Sequence, residues 1–138
     1  ESIIRHELTH ALIHHMAGSN VPAWLHEGIA QHKDGIDDTA AKEVLRKAVN
    51  SNTLIPFNQL KRGFVNFKED STKVKLAYAE SLSFIEYLIN NYGFYTIIDI
   101  LKNFNNYTSL DELFISVYRI NLNLLENGWI EQLRLEYQ

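Results

Sequence analysis

Apolar residues recur three and four positions apart along almost all of this chain, as in LAYAESLSFIEYLI from Leu76 to Ile89. That is the period a helix can bury on one face. Strict apolar–polar alternation, which a half-buried strand needs, is nearly absent. The chain must therefore build its core from packed helices, and its breakers say where each one stops. Gly18 in AGSN closes a helix over residues 1–17. Pro22 suits the first turn of a second, over 22–33, which closes near KDG. DDTAAKEVLRKAV reads as a third, with Asp37 or Asp38 as its cap. Residues 51–72, with Pro56, Gly63 and KEDST, read as a long connection carrying a turn or two and as a candidate lid. A long helix over 73–91 follows, ended by Asn91-Tyr92-Gly93, then a shorter one over 94–104. SLDE at 109–112 is a capping box opening a helix to about Tyr118, and the last helix runs from Asn123, in an N-x-x-E pattern, to the end. The expected fold is all-α with about seven helices and no repeats.

Composition narrows the functions open to such a fold. Net charge is −4 with no basic block, which argues against a nucleic-acid surface. There is no cysteine, so disulfides, thiolate metal sites and cysteine nucleophiles are excluded. No apolar run approaches the roughly 18–20 residues of a membrane span. With 138 residues, the expectation is one domain over 1–138. The sequence opens inside a helical pattern, which reads as an excerpt of a longer protein.

The feature with chemical content is RHELTH, residues 5–10. Positions four apart on a helix are rotated by about 40° and displaced by about 6 Å, so His6 and His10 can aim both imidazoles at one ion. Glu7, one residue around from His6, lies beside such an ion rather than on it. There its carboxylate can take a proton from an attacking water. A catalytic metal wants a third protein ligand and an open position. A histidine six residues after His10, with glycine three after it, is ruled out because those positions hold Met16 and Ile13. A carboxylate on a helix folding back past Gly18 and Pro22 is the other option, and VPAWLHEGIAQH supplies Glu27. Gly28 beside it removes a side chain where two helix backbones approach closely.

HELTH followed by VPAWLHEGIAQH resembles the gluzincin metallopeptidases, the thermolysin-like superfamily, and in particular the bacterial peptidase MA-like domains with their P-x-W-L-x-E-G-x-A signature. LAYAESLSFIEYLINNYG is similar to their long helix after the active site, and SLDELFISVY…LLENGWIEQL resembles their closing helices. The resemblance implies a zinc-dependent peptidase acting on a peptide or protein substrate. His6, His10 and Glu27 would be the zinc ligands, Glu7 the general base, and Tyr78 a phenol aimed at the tetrahedral oxyanion. For Tyr78 the competing reading is core packing, since Leu76, Leu82 and Ile85 share its helix. The resemblance also implies the helical, C-terminal lobe of a zincin-like fold. The β-sheet lobe that normally precedes HExxH is absent from this chain, which begins five residues before His6. Because such domains belong to larger envelope proteins, it implies an extracytoplasmic location. A non-catalytic zincin-like scaffold is the alternative reading, and a non-peptide substrate is a third.

The remaining candidates divide by position. His14 and His15 suit a helix C-terminus, where cations oppose the dipole. His26 competes with Glu27, but adjacent side chains point about 100° apart, and the family pattern puts the carboxylate at Glu27. His26 is then expected to face solvent or substrate. His32 stands where a tyrosine or another bulky residue is expected. Trp24 and Trp129 are expected in the core. Asp34, Asp37 and Asp38 are equal candidates to orient a ligand histidine.

Overall fold

The computed structural model describes residues 2–35, 37–67 and 70–138. Glu1, at the head of the expected first helix, and Lys68 and Glu69 of KEDST lie outside the described residues. Among these there are seven α-helices and no strand: α1 (Ser2–Ala17), α2 (Ala23–Asp34), α3 (Thr39–Ser51), α4 (Ser71–Tyr92), α5 (Phe94–Lys102), α6 (Leu110–Tyr118) and α7 (Leu122–Tyr137). The all-α expectation therefore holds. Short 3-10 turns occupy Phe57–Gln59, Phe64–Phe67 and Phe104–Asn106.

The helix ends follow local chemistry, with three departures from expectation. Asp38 precedes α3 but makes no capping bond; Asp37 instead accepts from the Thr39 N–H at 3.0 Å and from its hydroxyl at 2.6 Å. Only half of the SLDE box forms. Ser109 accepts from the Glu112 N–H at 3.1 Å, while the Glu112 carboxylate takes the Thr108 hydroxyl. The third departure is α7, which starts earlier than expected because Asn121, not Asn123, is its cap, accepting from Leu124 N–H at 2.8 Å. Glu126 is thereby freed to accept from the Phe57 N–H at 3.2 Å.

α2 and α4 pack against each other at the centre, with α1 on α2 and α3 on α4. Gly28 is what allows this. A Cβ there would run into the Ser81 carbonyl and the Ile85 side chain of α4. The close backbone approach foreseen at Gly28 is thus with α4 rather than with α1. Trp24 and Trp129 are both buried, as expected. Phe57 lies between them, with ring centroids 5.2 Å from Trp24 and 5.1 Å from Trp129. The connection after α3 is consequently part of the core rather than a lid over it: Ile55, Phe57, Leu60 and Phe64 are all buried. α1 contributes Ile13 and Ala17 to that core, while Ile3, Ile4, Leu8 and Leu12 are exposed.

Glu80, in the middle of α4, is fully buried, and no sequence signal marks it. One carboxyl oxygen accepts from the Ile55 N–H at 2.7 Å, pinning the connection to α4, and the other has no partner. Burial pushes its pKa up to about 8, with the nearby Glu126 adding to the rise. A carboxyl raised in this way holds more protons folded than unfolded, so the stability it contributes is complete below about 4.5 and is lost as pH climbs to about 8. The maximum slope is about 1.4 kcal/mol per pH unit. Chemical denaturation at pH 5 and pH 8 should show the wild-type chain losing more stability across that interval than Glu80→Gln. Equal losses would contradict the account of Glu80.

Candidate metal centre

α1 and α2 lie side by side, and their facing surfaces bring His6, His10 and Glu27 together. One ligand atom from each lies within 4.8 Å of the others. His6 Nε2 and His10 Nε2 are 2.9 Å apart. Glu27 reaches both rings, Oε2 at 3.6 Å from His6 Nε2 and Oε1 at 3.5 Å from His10 Nε2. All three side chains are part-buried, and Glu27 Oε2 is a buried oxygen with no hydrogen-bond partner.

The far side of each ring decides what the near side can do. Asp34, in the last turn of α2 and buried, accepts from His6 Nδ1 at 2.7 Å. This separates it from Asp37 and Asp38, the two other carboxylates that the sequence left open. With its proton on Nδ1, the neutral ring offers a lone pair at Nε2. His10 Nδ1 meets His26 Nδ1 at 2.8 Å. His26 borders the depression beside the cluster, as the substrate-side expectation has it, and its Nδ1 also backs His10. Burial lowers the His26 pKa to about 4, with His10 and His14 acting in the same direction. A neutral His26 whose Nδ1 accepts would hold the His10 proton on Nδ1, the tautomer that leaves Nε2 free for a metal. In those tautomers both Nε2 lone pairs face each other and a carboxylate.

That arrangement fits a divalent ion. Four tetrahedral ligands at about 2.0–2.1 Å stand about 3.3 Å from one another; the two nitrogens are 2.9 Å apart and each lies 3.6 or 3.5 Å from a different Glu27 oxygen, near that spacing. In the tautomers that present both lone pairs, 2.9 Å apart beside a buried carboxylate oxygen, a cation relieves their repulsion. Burial raises the Glu27 pKa; His10 and His6 oppose this, while Glu7 and Asp34 add to it. A dication in contact with Glu27 would favour its charged form.

Glu7 is exposed, yet close enough to Glu27 to act on its charge. Tyr78, on α4, is 37% exposed, so it is not simply core. Its phenol is raised above its usual pKa by burial and then by the charge of Glu27. Phe64 packs edge-on against its ring at 4.9 Å, and Gln31 of α2 donates to its backbone carbonyl at 2.9 Å. His32 lies apart from the three ligating groups. Its ring stacks on Phe94 at 6.0 Å, with Nδ1 3.9 Å from Glu86, and burial lowers its pKa. His14 and His15 are exposed in the last turn of α1.

The sequence model of a family described as the peptidase MA superfamily matches this chain over residues 1–134. No curated protein and no solved structure matches it.

The contacts behind the two rings give a prediction that needs no substrate. Zinc affinity, measured by competition with a chromophoric chelator, should fall about 10–100-fold in Asp34→Ala and in His26→Ala. Asp37→Ala, at an exposed carboxylate, should leave it unchanged. Wild-type affinity in both of the first two variants would mean that neither residue positions a ligand.

Proposed function

The chain belongs to the peptidase MA superfamily, and from that membership we propose that it is a gluzincin-type, zinc-dependent peptidase hydrolysing peptide bonds in peptide or protein substrates. The observation that carries the proposal is the convergence of His6, His10 and Glu27, with a buried Glu27 oxygen that no other group satisfies. In this reading those three side chains hold the ion, and Asp34 and His26 keep the imidazole protons on the far side. Zinc, when bound, supplies a Lewis acid that makes water acidic near neutral pH and polarises a carbonyl.

The chain's own residues carry the protons. Glu7 lies on the exposed side of the cluster, where a substrate can reach it. Its carboxylate takes one proton from the attacking water as the oxygen bonds to the scissile carbonyl carbon. The same group then gives that proton to the leaving nitrogen as the C–N bond breaks, so one carboxylate serves as base and then as acid. Tyr78 keeps its proton at neutral pH because burial and Glu27 raise its pKa. A protonated phenol there can donate to the oxyanion, whose charge is present only in the transition state. A non-catalytic scaffold would leave Glu7 without a task, since a structural ion needs no base.

Glu7→Gln should bind one zinc per chain, by elemental analysis, and show no peptide hydrolysis in a fluorogenic assay. Tyr78→Phe should keep its zinc and lose about 10²–10³ in kcat. Turnover by Glu7→Gln at the wild-type rate would remove the general base and, with it, the mechanism.

A further inference from the structure

The turn Lys61-Arg62-Gly63 lines the same depression as His10, His26 and Glu27. At about 450 Å³, it falls within the range of about 300–1,000 Å³ that small-ligand clefts occupy. We propose that Lys61 and Arg62 form a carboxylate-binding subsite beside the metal cluster. The preferred peptide then carries a carboxylate, as an acidic side chain or as its own C-terminus, near the reacting bond. This rests on the peptidase reading and deepens it.

Backbone bonds fix the turn in register with the metal cluster. Leu60 and Lys61 present their carbonyls to the first N–H groups of α2, accepting from Trp24 at 3.1 Å and from Ala23 at 2.8 Å. Glu27 lies one helical turn further along α2. Buried Leu60 and Phe64 anchor the turn on either side, and Phe64 packs against Tyr78. The exposed side chains of Lys61 and Arg62 are therefore held beside the ligand set rather than on a free loop.

Their charge stands apart within its own segment. From Ser51 to Phe67 they are the only charged residues, in a chain whose net charge is −4. Among the described residues neither makes an ion pair, as holds for most of the chain's Lys and Arg side chains. Two adjacent, unpaired cations repel each other, and an anion between them relieves that repulsion. A carboxylate suits the pair, because guanidinium offers a two-pronged donor fork and ammonium a compact charge. Lys61 also borders two neighbouring depressions, whereas Arg62 borders only this one of those described. Arg62 is thus the cleaner residue to change.

The test uses the full chain, zinc-loaded and carrying Glu7→Gln so that bound peptide is not consumed. Binding is measured by calorimetry for two pairs of acetylated pentapeptides. One pair has a central Glu or Gln with both C-termini amidated; the other is all alanine, with a free or an amidated C-terminus. The expected result is about fivefold tighter binding of the carboxylate member of one pair, shrinking as salt is added. Preference in the first pair identifies an acidic side chain as the ligand; preference in the second identifies the chain terminus. Adding Arg62→Glu should abolish the preference while melting temperature and zinc content stay unchanged. No preference in either pair, no binding of any of the four, or a preference that survives Arg62→Glu would each overturn the subsite. Failure of the peptidase reading shows up separately, as absence of hydrolysis by the wild-type chain on any of the four peptides.

Discussion

Two imidazole lone pairs and a buried carboxylate oxygen are pressed together between α1 and α2, and much of the surrounding structure serves to keep them there. With both lone pairs turned inward at 2.9 Å the nitrogens would repel without a cation, and one Glu27 oxygen has no donor. With a divalent ion the arrangement becomes a ligand set. The groups behind the rings favour that tautomer where Asp34 accepts from His6 and His26 accepts from His10. Those two contacts turn a pair of histidines into a pair of lone-pair donors aimed at one point.

The packing of α2 sets the geometry of that point. On one side it carries Glu27 to α1; on the other, Gly28 lets it settle against the Ser81–Ile85 stretch of α4. The connection after α3 locks the start of α2 by supplying carbonyls to Ala23 and Trp24. Glu80 holds that connection to α4, and Phe57 wedges it between the two tryptophans. A buried carboxyl is a costly anchor in an apolar core, which makes the hold on Ile55 depend on pH. The chain from Ile55 to Phe64 thus helps to hold the helix that carries Glu27, even though it has little regular structure.

Much of this was legible in the residues, and what was not has a physical reason. The periodicity gave the helices because each buries one face. The four-residue spacing of His6 and His10 gave a shared direction because helix geometry is rigid. The choice of Glu27 over the adjacent His26 needed the family resemblance, since spacing alone does not say which face of a returning helix meets the first. The roles of Asp34 and His26 depend on rotamers and on a contact between helices, and a sequence does not encode those locally. For Asp34, Asp37 and Asp38 the sequence offered three equivalent carboxylates, and only the helix phase of α2 selects the first. The Gly28 contact pointed correctly to a close approach but to the wrong partner, because α4 is distant in sequence. Asn121 displaced Asn123 as a cap because two similar signals lie two residues apart and only one can sit outside the helix. Glu80 was missed because a glutamate in an amphipathic helix ordinarily faces water.

X-ray absorption at the zinc edge, on protein reconstituted with one equivalent of zinc, tests the central claim most directly. The account predicts two imidazole nitrogens and at least one carboxylate oxygen at about 2.0–2.1 Å, with one imidazole lost in His6→Ala and the carboxylate lost in Glu27→Ala. An absorption spectrum of fully hydrated zinc, or one unchanged by both substitutions, would contradict it.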